Sequence, residues 1–109
     1  MASTFKNSVT GIIGTESHRI YKTPGSTTTT VIGLSVANIS SAGVEANVHM
    51  YANTSFQAHL VKSAPIPVGG TLVVVGGDQK IVLETADEIR VSSSAASSLS
   101  AIVSVLEQT

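Results

Sequence analysis

The residues closest to a known chemistry are 68–83, "VGGTLVVVGGDQKIVL", an apolar run between two Gly pairs with a Lys after the second. A phosphate-binding loop requires a strand, then G-x-x-x-x-G-K-[ST], then a helix whose N-terminal N–H groups face the anion. Here Gly76 and Gly77 are followed by Asp78, whose carboxylate repels an anion, and then by Gln79 and Lys80. No hydroxyl follows Lys80 to hold a magnesium ion, and "IVLE" reads as a strand where the loop needs a helix. The stretch is therefore expected to be a glycine turn between two antiparallel strands, with Gly77 at positive φ.

The remaining reactive groups are dispersed. His18, His49 and His59 stand far apart in the chain, whereas His-built zinc sites usually include a close pair with carboxylate support. Each is read as solvated or satisfied, with His49 on the outward side of its strand, facing solvent or a subunit contact. Glu84, Asp87 and Glu88 bracket a turn. Paired carboxylates do acid–base work in a cleft, but in a tight turn they cap backbone donors or stay hydrated. Serine is abundant, yet no G-x-S-x-G elbow is present, and with no Cys there is no thiolate nucleophile, thiolate metal site or disulfide. A sugar-stacking platform would have to come from Phe5, Tyr21, Tyr51 and Phe56, since the chain has no Trp. The expectation is a chain without catalytic, metal-binding or cofactor-binding residues.

Composition turns attention to the scaffold. Only 12% of the 109 residues are charged, about half the usual share. Hydroxyls take their place: Ser and Thr together number 28. Thr favours strands, while Ser and Gly favour turns. So neutral and polar a surface suits coverage by other protein, or an ordinary neutral β domain. The net charge is −1 with Lys and Arg scattered singly, which lacks the clustered basic face of a nucleic-acid binder. The N-terminus has no basic segment followed by an apolar one, and no apolar run approaches the roughly 20 residues of a membrane span. The sequence thus predicts a soluble chain made in a cytoplasm, with no nucleic-acid, membrane or small-molecule partner.

Period-two burial recurs along the chain. In "TTVIGLSVANIS", Ile32, Leu34 and Val36 point one way; in "VEANVHMYA", Val44, Ala46, Val48 and Met50 do. With "SAG" between them these two read as a hairpin. Upstream, "FKNSVTGIIG" and "SHRIYKTP" are weaker strands. "FQAHLVKSAPIPVGG", carrying Pro65 and Pro67, is an edge strand or a connector. "TLVVV" reads as a strand covered on two faces; "KIVLE", "EIRVSSS" and the terminal "LSAIVSVLEQ" follow, with "SSSAASSLS" a loop or short helix. About eight short strands result, giving an all-β antiparallel sandwich, jelly-roll-like or Ig-like. The expected inner face holds Ile32, Leu34, Val36, Val44, Val48, Leu72, Val74, Ile81, Leu83, Ile89, Val91 and Val103. Residues 1–8 are expected to form a flexible arm that orders on assembly, and residues 9–109 a single domain.

From Val31 to Glu107, and most densely from Leu60, the chain resembles a family of small tailed-bacteriophage virion structural proteins. The resemblance rests on "LVKSAPIP", the Gly-flanked strand ending in "GGDQK", the turn before "EIRV", and the closing strand that ends in "LE". Two positions depart from the pattern: Ala86-Asp87 stands for Gly-Asp, and Ser100 for an acid. The resemblance implies a non-enzymatic virion component, decorating or cementing the capsid or joining neck and tail parts. It also implies a homo-oligomer, such as a trimer or hexamer, that contacts other virion proteins. A carbohydrate- or receptor-binding module on the virion surface is the alternative.

Overall fold

The computed structural model describes residues 3–52, 55–76 and 80–109, and the regular elements among them are all strands. These are β1 (Ser3–Ile13), β2 (His18–Lys22), β3 (Thr28–Asn38), β4 (Val44–Ala52), β5 (Ser55–Ile66), β6 (Thr71–Val75), β7 (Ile81–Leu83), β8 (Asp87–Ser93) and β9 (Leu99–Gln108). They form two antiparallel sheets. The first has the order β1-β9-β3-β6, with β7 also on β3; the second has the order β2-β8-β4-β5.

β6 pairs with residues 34–37 of β3 and β7 with residues 29–31, so the two lie end to end along one edge of β3. Taken as one interrupted strand, they leave eight strand positions, four in each sheet. The chain crosses between sheets at almost every connection. That is the winding of a jelly roll, and it separates the fold from the unequal sheets of an Ig domain.

The same topology corrects two expectations. β3 and β4 are not a hairpin: both edges of β3 are occupied, by β9 and by β6 with β7, so β4 crosses to the second sheet. Asn38 shapes that crossing. Its Nδ2 donates to the Ala42 and Ile66 carbonyls, each at 2.9 Å, and its Oδ1 accepts from the Ser40 N–H and hydroxyl, each at 2.8 Å. The hairpin is instead β4–β5, which pairs from Val44↔Ile66 to Ala52↔Ser55. Nor does "GGDQK" join two paired antiparallel strands, because β6 and β7 run the same way along β3. The positive φ expected of Gly77 lies outside the described residues. The other Gly pair does form a turn. The Gly70 N–H donates to the Pro67 carbonyl at 2.9 Å, with Gly69 at φ +75°, the position a type II turn reserves for Gly.

One core joins the sheets, and Leu34, Val36, Val44, Val48, Leu83, Ile89, Val91 and Val103 are buried in it as expected. Ile32 is not: the β3–β9 register slips between Val31 and Gly33, and Val31 takes the inward position. A bulge inserts one residue and so reverses the alternation upstream of it. Leu72, Val74 and Ile81 are half-buried because β6 and β7 lie at a sheet edge, and "TLVVV" is covered on one face only, leaving Val73 66% exposed. The Pro-bearing β5 does form an edge, that of the second sheet. Ser3 to Ser8, the described part of the N-terminal segment, pair with residues 103–108 of β9.

The Ser-rich residues 94–98 form a loop after β8, tied to itself and to its neighbours. Ser93 and Ser98 share a short hydroxyl–hydroxyl hydrogen bond, Ser98 donates to the Ala95 carbonyl at 2.8 Å, and the Ser98 N–H reaches the Ile13 carbonyl at 3.0 Å. Part of the hydroxyl-rich composition is therefore interior. Thr23, Thr27, Thr29, Ser92, Ser93 and Ser98 are all buried.

In the turn from β7 to β8, the Asp87 N–H donates to the Glu84 carbonyl at 3.0 Å, and Ala86 sits at φ 72°. A left-handed conformation costs an L-residue about 1–2 kcal/mol, and glycine returns about 0.4–1 kcal/mol of that through its freer unfolded chain. Ala86→Gly is expected to raise stability by up to about 1 kcal/mol, read as a higher melting temperature in a thermal scan.

Candidate functional site

Charged and aromatic side chains gather on the outward face of the second sheet. Ile89, Val91, Val48 and Met50 turn inward, so alternate residues on β8 and β4 turn out. The register then builds two rows across the strands. Arg19, Arg90, His49 and His59 stand side by side on β2, β8, β4 and β5, and Lys22, Glu88, Tyr51 and Phe56 form the next row. A register slip between Arg19 and Tyr21 brings both Arg19 and Lys22 to this face.

Glu88 lies beneath a canopy of cations. Its side chain is 0% exposed, and Arg90 Nε donates to its Oε1 at 2.9 Å. Arg19 Nη1 and Lys22 Nζ stand 3.9 and 4.0 Å from Oε2, which accepts no hydrogen bond among the described residues. A buried carboxylate needs such partners to offset its lost hydration. The Arg90 guanidinium also lies over the Tyr51 ring, 4.4 Å from its centroid, a cation–π geometry that covers one ring face. Of the three turn carboxylates, Asp87 caps a backbone donor as expected, its Oδ2 accepting from the Glu84 N–H at 2.9 Å. Glu88 departs from expectation by being paired and buried.

The aromatic half of the patch is a cluster of edge contacts. The His49 and His59 rings are 4.8 Å apart, Tyr51 and Phe56 5.8 Å, and Phe56 and His59 5.1 Å. Sequence distance hid this pairing, for His49 and His59 become direct neighbours only through the β4–β5 register. His18 lies away from them, on β2 opposite Val91. His49 is half-buried on the outward face; its Nδ1 is buried without a hydrogen-bond partner among the described residues. Desolvation, with His59 and Arg90 nearby, holds its pKa below the ordinary 6.5.

A second polar cluster closes the opening between β1 and β2. The Tyr21 hydroxyl donates to Glu107 Oε2 at 2.5 Å and lies 2.9 Å from the Thr29 hydroxyl, while Lys6 Nζ is 3.0 Å from Glu107 Oε1. Burial and the Glu107 carboxylate push the Tyr21 phenol up to about 12. The Tyr21 hydrogen bond, aided by Lys6, lowers the pKa of Glu107. Tyr21 is thus a tie between sheets, not a free stacking platform.

The outward face of the first sheet has the opposite character. Phe5, Asn7 and Val9 on β1 stand beside Leu106, Ser104 and Ile102 on β9, which face Thr30, Gly33 and Ser35 on β3. Val82 and Val73 continue the rows on β7 and β6. None of these side chains is charged. On β1, Phe5 and Val9 lie on this outer side, 73% and 64% exposed, while the Ser8 hydroxyl turns the other way to the Ile20 carbonyl and Lys6, itself still exposed, reaches Glu107.

Glu88 and Glu107 are each tied to cations, and no group of three or more His, Cys, Asp or Glu is placed to hold a metal ion among the described residues. An open groove of about 470 Å³ beside Glu45, Pro65, Pro67 and Ser94 has Glu45 as its only titratable lining residue.

No protein-family model matches the chain, and no curated protein matches it. Solved structures do. One is of Bacillus endospore appendages, a family of disulfide-linked pili, with a TM-score of 0.57 and 13% identity over 99% of this chain and 87% of that one. Another is of the acid-stable capsid of Helicobacter pylori bacteriophage KHP30, with a TM-score of 0.55 and 8% identity over 98% and 87%. The chain shares the fold of these two proteins.

Two outcomes test the geometry. Tyr21→Phe removes a hydrogen bond to a buried carboxylate and is expected to cost about 1.5–3 kcal/mol at neutral pH. Because the Glu107 pKa is lowered on folding, that difference should narrow in denaturant titrations as pH falls below its ordinary value of 4.5. His49 also has a lowered folded pKa, so the unfolded chain takes up its proton first. Stability is expected to fall as pH drops below about 6.5, and His49→Gln should flatten that slope.

Proposed function

We propose that this chain is a non-enzymatic structural subunit of a bacteriophage virion, decorating or cementing the capsid or joining neck and tail parts. The observation that carries this reading is the uncharged outward face of the first sheet, with Phe5, Val9, Val73, Val82 and Ile102 exposed on it. A soluble monomer rarely gathers so many exposed apolar side chains on one face unless something binds there. Likeness in fold to a phage capsid protein and a pilus protein supports an assembled role, as does the resemblance of "LVKSAPIP" through "SVLE" to small virion proteins. Assembly then proceeds through repeated contacts of the chain with itself, in a closed oligomer such as a trimer or hexamer, and with other virion proteins. The free edge of β5 and residues 1–8 are further candidates for contacts made in the particle.

A second reading, a carbohydrate- or receptor-binding module on the virion surface, is favoured by the Tyr51, Phe56, His49 and His59 cluster, where Phe56 is 49% exposed.

Mass spectrometry of separated heads and tails, together with a glycan array, distinguishes these readings. The structural reading expects many copies per purified particle, whereas absence from particles would sink it. Retention on a glycan array, lost in Phe56→Ala, would favour the binding module.

A further inference from the structure

We infer that the partner covering the first sheet is a second copy of this chain, packed face to face about a twofold axis along the row Asn7, Ser104 and Gly33. This rests on the assembled role proposed above, but adds the surface, the partner and the pairing.

The pattern of the face leads to that partner. One side of the central row reads Phe5, Leu106, Thr30, Val82 across β1, β9, β3 and β7. The other side reads Val9, Ile102, Ser35, Val73 across β1, β9, β3 and β6. Strand by strand, the order is apolar, apolar, hydroxyl, apolar on both sides. A half-turn about the central row exchanges the two. Phe5 then meets Val9 of the second copy, Leu106 meets Ile102, Thr30 meets Ser35, and Val82 meets Val73. An isologous contact requires such self-complementarity, and a partner of unrelated sequence would not.

Charge agrees with this. A charged residue on the central row would meet itself across the axis, whereas here the row holds an amide, a hydroxyl and a glycine. Small residues along the row also let the sheets approach to the roughly 10 Å of stacked sheets. Beyond the two apolar rows lie Ser3, Gln108 and Thr28 at one end and Ser100, Ala37 and Thr71 at the other. They supply a largely polar rim.

The area suffices for a modest interface. Four strands spaced about 4.8 Å, each contributing about seven residues at about 3.4 Å, give a face of roughly 450 Å². Two faces together remove on the order of 1,000 Å² from water, near the lower limit for a specific contact. Such a pair exchanges when free and is held by avidity in a particle with many copies.

Sedimentation of the full chain over a concentration series tests the pairing, with circular dichroism melts confirming that each variant folds. The wild type is expected to show a reversible monomer–dimer equilibrium. Phe5→Lys or Val9→Glu alone sets a bare charge against an apolar side chain and should weaken the dimer at least tenfold. In the double variant each Lys meets a Glu of the second copy, two such pairs per dimer, so most of the lost affinity should return. Single variants that dimerise like the wild type would overturn this surface while leaving self-assembly standing. Single variants that dissociate without rescue in the double variant would overturn the twofold pairing. A wild type that stays monomeric at millimolar concentration would overturn the pairing as well, and the copy number in purified particles would then decide separately whether the chain is a virion subunit.

Discussion

Backbone groups of β3 are hydrogen-bonded along both edges, to β9 on one side and to β6 and then β7 on the other. A strand with both edges filled has no ladder left for the strand that follows it. The chain must therefore cross to the other sheet after Asn38, and the side chain of Asn38 supplies the hydrogen bonds that an irregular crossing would otherwise leave unmade. Once β4 lies opposite, β5 folds back beside it as a hairpin and the remaining strands alternate between sheets. The two outward faces follow from this winding, because it decides which strands stand beside one another.

Charge is scarce in this chain, and its placement separates the two faces. Arg19, Lys22 and Arg90 surround Glu88 on the second sheet, and Lys6 and Tyr21 hold Glu107 at the opening of the sandwich. The first sheet keeps its outer surface neutral, even on β1, where Lys6 reaches Glu107 while Phe5 and Val9 face out. In an isolated domain that arrangement would be costly, since exposing Phe5 and Val9 to water opposes the hydrophobic effect. It becomes favourable when something covers the outer row.

Alternation made much of the fold legible from the residues. Val44, Val48, Ile89, Val91 and Val103 were placed inward by period two and lie buried. The failures have specific causes. Period two puts Ile32 inward, but a bulge beside Gly33 shifts parity, and nothing in "TTVIGLS" marks which residue is extra. The link between β3 and β4 was read as a hairpin because its length suits a turn within one sheet or a crossing between two, and edge occupancy is decided by β9, far along the chain. The His49–His59 contact and the Glu88 canopy depend on register between strands, which local sequence does not carry. For β1, amphipathicity was visible but its direction was not, since the same alternation serves a core or an outer surface.

β6 and β7 bear on how this chain can change in length. Each holds its own register on β3, to residues 34–37 and 29–31 respectively, with residues 76–80 between them. Elsewhere in a sheet an insertion of one residue flips every following side chain to the other face. Here the two halves are anchored independently, so residues gained or lost between them leave both alternations intact. The seam is therefore the place where such a chain can acquire an extra loop, and with it a new surface feature, without renegotiating its core.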